Sequence, residues 1–274
     1  MDGKVGLDAK NSLSFPEKIA DDAMVPALSR GFAILDLVGK NPGIDFTTIH
    51  SRLGLPKSSA HNLLTTLSQL GVIRMQSDRG FVLGLKLTEL GNFAAGQRFS
   101  ESEYLPLLRS LAAELRLTCH LGVLEGREAV YLSKVECDHP IQVNSWVGKR
   151  FSLHCSALGK VLLAWLPDSE LEPILAQILW TRNTRHTIVD ATAMRAHLRE
   201  VRARGWASDD EENVPDIRCV AVPVFDRDHI VAAAISAVGT ILQVEEKQFA
   251  MLAPRLISVA SEISRRVFGN QRPV

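Results

Sequence analysis

The chain has 274 residues, 46% of them apolar and 23% charged, which is the balance of a globular protein long enough for one large domain or two ordinary ones. Its 31 Lys and Arg equal its 31 Asp and Glu, so no global basicity marks a nucleic-acid binder and any electrostatic footprint has to be local. The four cysteines, Cys119, Cys137, Cys155 and Cys219, contain no CxxC pair and are expected to be reduced cytosolic thiols.

Residues 1–23, MDGKVGLDAKNSLSFPEKIADDA, lack the continuous apolar core of a signal peptide and read as a disordered polar tail. The longest apolar stretch, IVAAAISAVGTIL at residues 230–242, is shorter than the roughly 18–20 residues that span a bilayer. A cytoplasmic protein with no membrane partner is expected.

From residue 25 the texture is helical. LSRGFAILDLV spaces Leu28, Phe32, Leu35 and Val38 as one expected buried stripe, and NPG then breaks the helix. A short second helix follows, capped by Asp45 or Thr47, with Ile49 and Leu53 on its buried side and Gly54 ending it. Pro56 fits the first turn of a third helix, whose inward stripe is Ala60, Leu63, Leu64, Leu67 and Leu70. Lys57, Ser58, Ser59, His61, Asn62 and Thr65 are left on its other side or at its exposed start. They are short hydrogen-bonding residues with one cation, a set suited to phosphates and base edges.

After Gly71 the period drops to two, and VIRMQSDRGFVLG reads as a hairpin with Arg79 near its tip. Two helices, a tight turn, a third helix and a hairpin are the order of a winged helix-turn-helix. Between residues 25 and 84 six cations face three acids, which is the local basicity that the whole chain lacks. A polar helix face alone is more often plain solvated surface; the ordered combination is what points to DNA.

LTELGNFAAGQRFS, residues 87–100, reads as a bridging helix, and SEYLPLLRSLAAEL as another. Two hairpins follow, one turning at residues 125–127 and one at 226–229, with helices between them near residues 157–166, 168–179 and 191–204. VEEKQFAMLAPRLISVASEISRRV closes the chain as a helix. Hairpins with helices inserted imply an α+β domain on a mainly antiparallel sheet.

In HCSALGK, Ser156 is placed to cap the apolar helix that follows, so the N–H groups of Ala157, Leu158 and Gly159 lie in its first turn. Unpaired N–H groups and the positive end of the helix dipole favour an anion there. The plainer reading is that Ser156 only caps and Gly159 only permits close packing.

Four segments in order, LSRGFAILDLV, LGLPKSSAHNLLTTLSQLGVI, HCSALGKVLLAWL and GWASDDEENVPDIRCVAVPVFDRDHIVAAAISAVG, resemble the IclR family of bacterial transcription regulators. The resemblance implies a winged helix at residues 24–86 on double-stranded operator DNA, a linker and dimerisation helix at 87–100, and a GAF-like effector-binding domain at 101–274. It implies no cofactor, and a homodimer or dimer of dimers. It also places Val143, Ala157, Leu158, Asp209, Cys219, Ser236 and Val238 around a small-molecule effector. With the SALGK helix start, the expected ligand is a small organic acid, aromatic acids included.

Three positions depart from the family's pattern. Asn62 stands where the family often has arginine, which shifts base preference from guanine towards adenine. His50 occupies a position usually held by a small residue, and Asp216 replaces a common glycine before Cys219. Two alternatives use other chemistry. Cys155 beside His154, or Cys219 with Asp209, would be the nucleophile and base of an enzyme, but adjacent residues in a helix or strand point apart. A metal site would draw on Cys119 and His120, Cys137 and His139, or His154 and Cys155, whose spacing is looser than structural zinc sites show. Asp209–Glu212, DDEE, reads most simply as a solvated acidic turn. The expectation is therefore a DNA-binding, effector-controlled regulator with no metal and no catalytic residues.

Overall fold

A computed structural model describes residues 25–76, 80–138 and 143–269, with the backbone alone at 95–98. The expected tail at 1–23, Arg79 and His139 fall outside the described residues. The chain divides into two compact units, Met1–Ala94 and Ala95–Val274, with the division inside one helix.

Unit one begins with α1 (Pro26–Lys40), α2 (Phe46–Arg52) and α3 (Lys57–Gln69). The Asp45 carboxylate accepts from the Thr48 N–H at 2.8 Å and caps α2, and Gly54 takes φ +61° between α2 and α3, as the sequence implies. β1 (Ile73–Gln76) and β2 (Gly80–Leu83) pair antiparallel, Ile73 opposite Leu83, and α4 (Leu85–Arg98) follows. Ile34, Val38, Ile49, Leu55, Ala60, Leu64, Ile73 and Phe81 form the core.

The expected α1 stripe is corrected. Leu28 is 65% exposed and Phe32 59%, while Gly31, Ile34 and Val38 are the buried residues. Val38 is buried as expected and Leu35 packs half-buried against the core, so the helix is turned by part of a face, with Ile34 and Gly31 inward in place of Leu28 and Phe32. Leu70, expected inside, is also exposed, because α3 ends at Gln69 and Leu70 turns away as its C-cap.

Unit two is a six-stranded antiparallel sheet covered on both faces. After α5 (Glu101–Leu115) come β3 (Thr118–Glu125), β4 (Glu128–Val135), β5 (Arg150–Phe151), α6 (Ala157–Ala164), α7 (Asp168–Leu175) and α8 (Ala191–Arg204). β6 (Ala207–Asp210), β7 (Ile217–Phe225), β8 (Val231–Thr240) and α9 (Phe249–Phe268) complete it, in strand order β5-β4-β3-β8-β7-β6. Alternation along each strand sends Cys119, Leu121, Val220, Val222, Ile235 and Ala237 to one core with α5 and α9. Ala129, Ala207, Cys219, Ala221, Ala234 and Val238 go to the other core, beneath α6, α7 and α8. The helix expected over 168–179 stops at Leu175, and the sequence reading had neither β5 nor β6, which are only 2 and 4 residues long.

Candidate functional site

Two surfaces carry the residues singled out in the sequence. On unit one, Lys57, Ser58, His61, Asn62 and Thr65 are exposed and Ser59 is half-buried, all on α3. Pro56 is the N-cap, so no side chain caps this helix, and its first turn holds no acid. Its first N–H groups are therefore left facing solvent, positive end outward, the arrangement that receives a phosphate. The half-buried His50 ring lies 5.5 Å from the Phe46 ring of the same helix, tilted by 43°.

On unit two the sheet face beneath α6 gathers most of the other set. Register places Asp209 opposite Cys219, Cys219 opposite Val238 and Val238 opposite Thr118, one row across four strands. In the neighbouring row Ala221, Ser236 and His120 stand side by side. Small residues make this floor, with Gly122 and Ala234 in the row beyond.

α6 starts over it. The Ser156 hydroxyl accepts from the Gly159 N–H at 3.0 Å and donates to the Ser152 carbonyl, so Ser156 is the cap that the sequence suggested. Gly159 packs on backbone, since a Cβ there would lie 2.5 Å from Leu153 Cα. With the Gly159 amide used by the cap, Ala157 and Leu158 hold the first-turn N–H groups without an intrahelical acceptor. Val143 lies in the segment between β4 and β5, where its carbonyl accepts from Lys134 Nζ at 3.2 Å.

The DDEE run is not a solvated turn. Asp209 and Glu212 are buried, while Asp210 and Glu211 turn outward to Arg218. Asp209 Oδ1 accepts from the Glu212 and Asn213 N–H groups at 2.8 and 3.3 Å. Lys160, fully buried in α6, pairs with Glu212 and donates to the Ser208 carbonyl at 2.9 Å. Burial above all pushes the Asp209 carboxyl up to about 7, with Lys160 opposing and Glu212 adding to the rise. Burial also raises Glu212, against the pull of Lys160. Asp216 takes φ +62°, a conformation that suits the glycine it replaces.

Tyr131 and Phe151 escaped the sequence reading, and His120 entered it only as a candidate metal ligand. His120, Tyr131 and Phe151 form a ladder with ring centroids 4.6 and 4.4 Å apart, and Phe151 and Leu158 crowd the bare Cα of Gly122. His120 Nε2 is 2.7 Å from Ser145 Oγ, and burial drives its pKa to about 3, so the ring is neutral. Burial, then Cys219, Asp209 and Cys155, raise the Tyr131 phenol, which places these groups together. The usable signal was Lys160, one cation in the apolar run ALGKVLLA: a buried charge demands a partner.

The alternative chemistries find little support in the geometry. Burial holds the Cys155 thiol up at about 11 and Cys219 higher still, so neither is a ready thiolate. His154 Nε2 donates to the Thr181 carbonyl at 3.1 Å and its Nδ1 meets Ser152 Oγ, so its ring is not turned to Cys155. Among the described residues no group of three or more His, Cys, Asp or Glu is arranged to hold a metal, and no helix is long and apolar enough to cross a membrane. A groove of about 830 Å³ beside α5 and the end of β4, lined by Arg109, Arg116, Glu136, Cys137 and Gln243, includes none of the residues expected to bind DNA or effector.

The sequence pattern described as the IclR helix-turn-helix domain matches residues 27–77, and that of the bacterial transcriptional regulator IclR C-terminal matches residues 101–265. The chain is 36% identical over 245 residues to the HTH-type transcriptional regulator RhmR of Escherichia coli K12, covering 89% of this chain and 94% of that one. It is 34% identical over 244 residues to HTH-type transcriptional regulator XynR of the same organism, covering 88% and 97%. Among solved structures, Thermotoga maritima IclR matches with a TM-score of 0.74 at 32% identity over 87% of this chain and 97% of that one. An IclR homolog from Microbacterium hydrocarbonoxydans, solved in complex with 4-hydroxybenzoate, shares the fold at a TM-score of 0.77 and 23% identity over 88% and 98%.

Proposed function

The chain belongs to the IclR family of bacterial transcription regulators, and from that premise we propose how its two units divide the work: α3 reads operator DNA, and the sheet face beneath α6 binds a small carboxylic acid that controls it. A DNA-binding unit and an effector-binding unit are what the family supplies; the residues and the ligand class are this proposal.

The observation that carries the DNA half is the bare start of α3. Lys57, Ser58 and Ser59 with their uncapped N–H groups fit phosphates, and His61, Asn62 and Thr65, one turn on, fit base edges in a major groove. Arg79, from the hairpin, would reach adjacent backbone. Asn62 in place of arginine predicts adenine at its contact. The domain limits follow the sequence reading: 24–86 for DNA, 87–100 as linker and 101–274 for the effector.

The effector half rests on the grouping of Ser156, Ala157, Leu158, Gly159, Asp209, Cys219, Ser236 and Val238, with Val143 as apolar wall. Ser236 Oγ is fully buried with only the weakly hydrogen-bonding Cys219 thiol beside it among the described residues, so a ligand oxygen would be its stronger partner. A carboxylate at the Ala157 and Leu158 amides would put its body over the small-residue floor.

Gel shifts with DNA from upstream of the protein's own gene test the first half, and calorimetry with benzoate, 4-hydroxybenzoate, pyruvate and lactate tests the second. Ala157→Leu fills the space before the amides and is expected to abolish acid binding while leaving DNA binding intact. Equal binding by Ala157→Leu would move the site elsewhere.

A further inference from the structure

Lys160 serves two buried carboxylates. It pairs with Glu212, and Asp209 lies beside the same ammonium, its own hydrogen bonds coming from neutral backbone N–H groups. The acids that follow in the chain do not compete for it, because Arg218 takes Asp210 and Glu211 on the outer side. The remaining groups around Asp209 add no cation: Cys219 on β7, Cys155 before α6 and Tyr131 on β4 are neutral thiols and a neutral phenol. Further out, His197 on α8 faces Lys160, with its pKa lowered to about 4 by burial first, and is neutral too. Arg204 acts on Glu212 from the end of α8, but its guanidinium lies over the Trp206 ring at 3.9 Å and donates to the Trp206 carbonyl at 2.7 Å.

Two carboxylates against one ammonium leave this buried cluster one negative charge in excess. A second observation agrees with that imbalance: among the described residues the buried Glu212 Oε2 has no hydrogen-bond partner. An anion arriving at the start of α6 would meet that excess charge in a medium that screens it poorly. The excess is removed if one proton stays on the pair, and the proton also turns a repelling oxygen into a donor.

We propose that the effector site binds its carboxylate together with one proton, held by the Asp209 and Glu212 pair, so that acid binding is linked to proton uptake. The inference rests on the reading of this face as the effector site and adds its regulation. The free protein at pH 6 already carries most of that proton, since burial holds Asp209 near 7. At pH 8 it carries little, and binding must draw the proton from solution. The dissociation constant then rises about tenfold per pH unit above the free-state pKa.

The experiment is calorimetry of the full-length protein with benzoate, 4-hydroxybenzoate, pyruvate and lactate, at pH 6 and pH 8, in buffers of differing ionisation enthalpy. Uptake near one proton at pH 8 and near zero at pH 6 is expected for any acid that binds. Glu212→Gln leaves Lys160 to Asp209 alone, and uptake at pH 8 should fall below half; Asp209→Asn should bind with none. Carboxyl carbon resonances of the ligand-free protein supply a readout without ligand: one group titrating near 7 in wild type and missing in Asp209→Asn. An acid that binds wild type with no proton uptake and a flat pH profile overturns the linkage alone. Failure of all four acids at pH 6 overturns the carboxylate reading and the linkage with it, and absence of a carboxyl titrating above pH 6 overturns the linkage whatever binds.

Discussion

Lys160 shows how much a single side chain can commit a fold to. An ammonium with no exposed surface is tolerated only because Glu212 and the Ser208 carbonyl receive it, so deleting it strands two carboxylates. Lys160→Met is expected to cost about 3–5 kcal/mol in urea unfolding of unit two, and adding Glu212→Leu should recover much of that loss. A Lys160→Met protein as stable as wild type would mean that water already reaches the pair. Asp209 adds a pH dependence whose sign is fixed. Its folded pKa, about 7, lies above the unfolded value of about 3.9, so the folded state holds the extra proton between those limits. Stability therefore declines as pH rises from 4 to 7, and the penalty is complete above 7. Melting of wild type should fall more from pH 5 to pH 8 than melting of Asp209→Asn. Little of this was legible in DDEE, because four consecutive acids look alike until strand alternation turns Asp209 inward and Asp210 outward. Glu211, at φ +58°, then reverses the chain and brings Glu212 back in. Ser156, by contrast, was legible as a cap, since a hydroxyl ahead of an apolar helical run has one local use.

At the scale of elements, α3 differs from α2 in what finishes its start. Asp45 closes α2, whereas α3 begins uncapped behind Pro56, and the sequence showed this as a proline and a lysine where a capping acid would otherwise stand. Asn62→Ala should cost about 1–3 kcal/mol at the cognate operator and relax one base position, read by gel shift across single-base variants of the site. Unchanged affinity would remove Asn62 from base contact. The segment between α7 and α8 was read only as the end of a helix, and its remainder has no periodicity to read. Its hydrogen bonds nonetheless tie it down over the start of α6: Asn183 Nδ2 donates to Cys155 Sγ and Asn213 Oδ1, both at 3.3 Å, and the Thr187 hydroxyl donates to the Glu212 carbonyl at 2.6 Å. Thr187 Oγ1 also accepts from the Asn183 and Thr184 N–H groups at 3.1 and 2.9 Å. Thr187→Val keeps the shape and removes these three bonds together with a longer one to Thr184 Oγ1 at 3.4 Å. Hydrogen exchange at residues 181–187 should quicken by the equivalent of about 1–2 kcal/mol, with β7 and β8 unaffected. Exchange that stays slow would show apolar packing, not Thr187, holding the strap.

The order of elements along the whole molecule was the most legible level, because helix, turn, helix and hairpin each announce themselves by period and punctuation. What periodicity could not decide was which apolar row of α1 meets its own core. Leu28 and Phe32 are left exposed on α1, and Leu90 and Phe93 on α4, in a unit whose core is already closed. Exposed apolar residues in such numbers call for a partner, and in a DNA-binding unit of this size a second copy has an independent reason to be there. One winged helix touches too few base pairs for tight specific binding, whereas two copies read two half-sites about one helical turn or a multiple apart. A pseudo-palindromic operator is the expected counterpart. Phe32→Glu with Phe93→Glu puts four like charges into the contact of a symmetric dimer, two from each copy, and touches neither α3 nor the face beneath α6. Sedimentation velocity at micromolar protein should show the variant shifted towards monomer, and gel shifts should show the full operator bound little better than a half-site. Acid binding by unit two should persist, which separates lost assembly from lost folding. A variant that sediments as wild type would assign those aromatic residues to plain surface and move the dimer contact to other residues.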